Sequence, residues 1–90
     1  MSDEITRLRF SIDANDRAIV AAVNDRLRLV TQLWRLKREH GIDRLDPDRE
    51  QRLRADLAAA NGGPLSAEGL DRLVDELLAL TKRELAGESG

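Results

Sequence analysis

Two apolar stripes run along one long helical segment, and they limit the possible folds more than anything else in the chain. The first is spaced alternately three and four: Ile5, Leu8, Ile12, Asn15, Ile19, Ala22, Arg26, Leu29, Leu33, Leu36. The second runs Val20, Val23, Leu27, Val30, Trp34, Lys37. Both have the period of an α-helix. A helix with one stripe is satisfied by one neighbour; a helix with two needs covering on two sides. From about Glu4 to Glu39 such a helix is about 54 Å long, far beyond the usual length for a 90-residue chain.

The rest of the chain offers less covering than this helix requires. Gly41 follows a basic stretch, Arg35 to His40, as a helix C-terminus predicts. Asp46-Pro47 reads as an N-cap followed by proline at the first helical position. Asn61-Gly62-Gly63-Pro64 marks a turn, after which Ser66 caps a third helix. The expected helices span about 4–39, 47–60 and 67–85, in one domain of residues 1–90, with 86–90 a frayed tail. Helix two carries one stripe (Leu53, Leu57) and helix three another (Leu70, Leu73, Val74, Leu77, Leu78). A second copy of the chain is therefore expected to cover the remaining face of helix one, giving an all-α, intertwined homodimeric bundle.

Composition supports this. A 90-residue chain folding alone buries only part of its surface, and such chains commonly rely on disulfides, metals or a partner subunit. There is no cysteine and only one histidine, His40, which excludes disulfides and a multi-histidine metal site within one chain. The formal net charge is −2 with both signs interspersed, unlike the basic stripe of a nucleic-acid binder. No apolar run is long enough to span a membrane, and the acidic start, Met1-Ser2-Asp3-Glu4, lacks a signal-peptide core; the cytoplasm is the expected compartment.

The functional signals are polar residues placed where the stripes call for apolar ones. Arg26 interrupts the first seam, Lys37 ends the second, and Thr81 continues the stripe of helix three. Arg49 and Glu50 stand one turn ahead of Leu53. Each has an ordinary explanation. Arg26 can snorkel from a seam edge. Lys37 suits the C-terminal end of a helix dipole. Glu50 can pair with Arg54, Asp46 is already an N-cap, and Thr81 can bond the preceding turn. Together they carry a second reading, because charges are rarely buried without a counter-charge or ligand. Cations on helices one and two with a hydroxyl on helix three suggest a pocket for a small anion. The chain has no phosphate-binding glycine loop, no Ser/His/Asp set and no cysteine nucleophile.

The run Leu8-Arg9-Phe10-Ser11-Ile12-Asp13-Ala14-Asn15-Asp16 resembles the L-R-x-x-I-D-x-L-D opening of the all-helical chorismate mutases. Asp25-Arg26, Lys37 eleven residues later, and Asp46-Pro47-Asp48-Arg49-Glu50 (their D-x-x-R-E) continue the likeness, which covers roughly Ile5 to Leu85. The resemblance implies conversion of chorismate to prephenate by an intramolecular Claisen rearrangement, without a cofactor. It implies that Arg26 binds one substrate carboxylate and that Arg9, from the partner chain, binds another. Lys37 would bridge a carboxylate and the ether oxygen. Glu50 and the backbone near Asp46 would hold the ring hydroxyl, Arg49 would organise the pocket, and Thr81 would replace the usual serine near a carboxylate.

Three positions depart from the family pattern. Leu85 stands where a glutamine or glutamate usually donates to the ether oxygen, a loss of about 3 kcal/mol if oxyanion-hole magnitudes transfer; restoring glutamine is expected to raise turnover if that donor is what limits it. Asn15 replaces a leucine, where it would set the register of the helix pairing, and Trp34 replaces a small residue, where it would narrow the pocket or, the favoured expectation, fill the core. Relatives split isochorismate or rearrange aminodeoxychorismate, and some small mutases work well only when docked to another shikimate-pathway enzyme; these remain alternatives.

Overall fold

The computed structural model describes residues 2–88. Three helices follow one another: α1 (Ser2–Glu39), α2 (Pro47–Ala60) and α3 (Ala67–Glu84). A 3-10 turn over Ala86–Glu88 follows α3 where a frayed tail was expected, and Ser89 and Gly90 lie outside the described residues. No strand occurs among the described residues, and no described helix is long and apolar enough to cross a membrane.

Local chemistry sets the helix ends. Arginine, leucine and alanine are among the commonest residues of α1, and neither glycine nor proline interrupts it. It stops in a Schellman arrangement: Ile42 N–H donates to the Lys37 carbonyl at 2.8 Å and Gly41 N–H to the Arg38 carbonyl at 3.2 Å. That ending requires a left-handed residue, and Gly41 supplies it at φ +66°. Asp46 caps α2 by accepting from Arg49 N–H at 3.1 Å, with Pro47 in the first turn. Ser66 caps α3 by accepting from Gly69 N–H at 3.0 Å.

The core is small and lies along one face of α3, which contacts both α1 and α2. Leu70, Val74, Thr81 and Leu85 are its buried residues, and Val74 is almost fully enclosed. Arg54 of α2 bonds Asp75 of α3 and lies 3.9 Å from Asp71. The Arg54 pKa is raised, chiefly by the hydrogen bond to Asp75. Arg54 is thus directed at α3, not at Glu50 as the i,i+4 spacing suggests.

Helix α1 contributes no buried residue. Leu8 is 65% exposed, Ile19 53% and Leu29 64%. The molecule measures 59 × 25 × 17 Å with a radius of gyration of 16.9 Å. A compact chain of this length has a radius of gyration of about 12 Å. A single copy is therefore a rod with one end thickened by α2 and α3; it leaves most of the first stripe exposed and the second, beyond Val20, half-buried.

Candidate functional site

At the thick end, a cavity of about 330 Å³ opens between the C-terminal third of α1, the loop joining it to α2, the first turns of α2 and the end of α3. Five cations line it: Arg26, Lys37, Arg44, Arg49 and Lys82. Two acids, Asp46 and Glu50, face them. The remaining wall is apolar, from Val30, Leu33, Trp34, Leu45, Leu53 and Leu78. A chain of net charge −2 thus concentrates positive charge against low-dielectric walls, which strengthens attraction for an anion.

Three of the five cations are placed by a distinct contact. Arg26 Nη1 donates to Thr81 Oγ1 across the α1–α3 interface. The Thr81 hydroxyl in turn donates to the Leu77 carbonyl at 2.7 Å. Thr81 is only 5% exposed, so its single proton is committed to its own helix and its lone pair to Arg26. The ordinary explanation for Thr81 and its place at the site therefore hold together. Lys37 Nζ donates to the Arg44 carbonyl at 3.4 Å, which bends the lysine over the loop. The Arg44 guanidinium lies over the Trp34 ring, 4.0 Å from its centroid. Asp46 is committed to capping: its carboxylate accepts from Arg49 N–H, and its carbonyl accepts from Glu50 N–H at 3.1 Å. Those bonds fix the first turn of α2 and so aim Arg49 and Glu50 at the cavity.

Six of the seven residues singled out from the sequence meet here: Arg26, Lys37, Asp46, Arg49, Glu50 and Thr81. Arg9 does not. It is exposed on the N-terminal half of α1, about 26 Å along the helix from Arg26 at 1.5 Å per residue. Trp34 departs from its expected place in the core: it is half-buried and forms cavity wall. Leu85 is 8% exposed, belongs to the α3 core and does not line the cavity.

Two lining cations, Arg44 and Lys82, escaped the sequence reading. Lys82 had a signal, since it lies four residues after Leu78 and therefore on the same face. Arg44 had none, because a loop residue follows no period.

The chain matches the family described as chorismate mutase type II over residues 8–85. It is also similar to a solved structure, chorismate mutase (Form I) from Thermus thermophilus. The two are 35% identical, with a TM-score of 0.82, and the match covers 87% of this chain and 98% of that one. No curated protein matches.

Proposed function

The chain belongs to the chorismate mutase type II family, and from that premise we propose how it works. It is an isomerase that rearranges chorismate to prephenate. One C–O bond breaks and one C–C bond forms within the same molecule, so no nucleophile and no proton transfer is needed. What remains is positioning and electrostatics. The observation that carries this reading is the cavity itself, five cations and two acids set into an apolar wall.

The roles are those the family resemblance implies, and the Arg26–Thr81 contact supports the first of them. Arg26, held by Thr81, presents its guanidinium to one substrate carboxylate. Lys37 bridges a carboxylate and the ether oxygen, where negative charge grows as the C–O bond lengthens. Arg49 supports the anion from α2. Glu50 and the backbone at Asp46 hold the ring hydroxyl. Thr81 acts through Arg26, since its own proton is taken by Leu77.

The working unit is a homodimer in this proposal. Seven side chains of the first stripe, Ile5, Leu8, Ile12, Ile19, Leu29, Leu33 and Leu36, are each about half exposed or more. Covering that exposed area is worth roughly 5–10 kcal/mol. A second copy with the same stripe is the complementary surface. Paired α1 helices also bring Arg9 of one chain towards the cavity of the other, which gives that arginine a substrate carboxylate to bind. The cytoplasm, where shikimate-pathway chemistry runs, is the compartment this reading implies.

The test is to mix purified protein with chorismate, follow the loss of its ultraviolet absorbance and identify the product. Prephenate supports the reading; another product moves the assignment to a related substrate, with isochorismate assayed next. The inward burial of Leu85, which leaves no donor from that position, favours one second reading, a mutase that depends on a partner enzyme. Turnover would then be low alone and rise when the first enzyme of the shikimate pathway is added.

A further inference from the structure

We propose that Trp34 and Arg44 form a clamp that sets the position of Lys37, making both of them positioning residues; the inference rests on the mutase reading above. Trp34 and Lys37 stand three residues apart on α1 and so on one face. Arg44 reaches both: its guanidinium lies 4.0 Å from the Trp34 ring centroid and its carbonyl accepts from Lys37 Nζ at 3.4 Å. One loop residue is thereby tied at its side chain and at its backbone to two residues a single helical turn apart.

The loop needs such a tie. The Schellman ending fixes where it leaves α1, and Asp46 fixes where it enters α2. Between these points Asp43 accepts from Leu45 N–H at 3.1 Å, a bond internal to the loop. Ile42 and Leu45 are exposed and offer no packing anchor. The stack on Trp34 therefore holds the loop against α1. Lys37 is a point charge on a four-carbon stem, and such a stem has no preferred direction of its own. Its ammonium goes where the Arg44 carbonyl directs it. This accounts for a tryptophan in cavity wall, where a smaller residue would leave more room for substrate.

The chain's two lysines, Lys37 and Lys82, make the test direct. With 13C-labelled lysine, the Lys37 side-chain resonance, assigned with Lys37→Arg, is expected to shift in Arg44→Ala while that of Lys82 stays in place. In chorismate turnover, Trp34→Leu and Arg44→Ala are expected to lower kcat about 10- to 100-fold, the scale of a misplacement of about 1 Å. For Trp34→Leu, which leaves all five lining cations in place, KM is expected to move less than about threefold. Arg44→Lys should recover part of the loss. In a Lys37→Ala background the same substitutions should change kcat by no more than about twofold, since they act through Lys37. Losses that add to Lys37→Ala, a rise in KM at unchanged kcat, or a Lys37 resonance that does not move in Arg44→Ala would each overturn the clamp. Wild-type protein without turnover would instead overturn the mutase reading, and the lysine resonance then decides the clamp alone.

Discussion

Thr81→Val is the most informative single change, because it keeps shape and removes one hydroxyl. The residue is 5% exposed, so the valine methyl enters a site already filled by an oxygen of similar size. Two hydrogen bonds are lost. The bond to the Leu77 carbonyl is neutral and worth about 0.5–1.5 kcal/mol. The bond from Arg26 involves a charge and is worth up to about 3 kcal/mol when buried; Arg26 is half-buried and regains water, so roughly 1 kcal/mol is appropriate. Burying an extra methyl returns up to about 0.8 kcal/mol. The net expectation is a loss of about 1–2 kcal/mol, a fall in Tm of roughly 4–15 °C for a domain of this size. Helix propensity contributes little, since threonine and valine are similar.

Function should suffer by its own route. Without its acceptor on α3, Arg26 loses the contact that aims it, and kcat/KM is expected to fall about tenfold, equivalent to ~1.4 kcal/mol of transition-state stabilisation. Thr81→Ser keeps both bonds and should restore kcat/KM. The assay pairs urea unfolding by circular dichroism, at one fixed protein concentration, with steady-state chorismate turnover. A Thr81→Val protein that loses stability but keeps wild-type kcat/KM would refute the idea that Thr81 positions Arg26. One that loses neither would refute the energetics as well.

Mixing inactive Arg9→Ala and Arg26→Ala proteins should recover about a quarter of wild-type activity, because half of randomly formed dimers are hybrids and each hybrid has one intact site; no recovery despite demonstrated subunit exchange would place each site within one chain. Leu85→Gln, which the family pattern alone would recommend, should lower stability by about 2 kcal/mol without raising turnover, since it puts an amide into the small α3 core; a higher kcat would show that position 85 reaches the substrate. Asp46→Ala should cost about 1 kcal/mol through the lost cap, while Asp46→Asn preserves stability; equal melting temperatures for both would remove the cap from the account.

The sequence was most legible where structure is local. Gly41, Asp46 and Ser66 mark helix ends through bonds to residues a few positions away, and each is seen making them. The polar interruptions were legible for a related reason: a helix repeats its faces, so the stripes put Arg26, Lys37 and Thr81 in line with apolar residues without saying what they meet. The double stripe on α1 likewise showed that one copy of α2 and α3 does not cover it, and the exposed seam agrees.

The partners of those inward residues were decided only by tertiary structure. Arg26 and Thr81 are 55 residues apart, and their bond depends on how closely α1 and α3 approach. Arg54 had an acid four residues away on its own helix and is paired instead with Asp75 of α3. For Trp34 the stripe favours core over a narrowed pocket; it is cavity wall, because the loop carrying Arg44 passes over its ring. Leu85 was placed by family analogy at the reacting oxygen and by packing in the core. Periodicity states which face of its own helix a side chain occupies. It carries no information about the spacing between helices or the path of a loop, and those set the contacts from which this site is made.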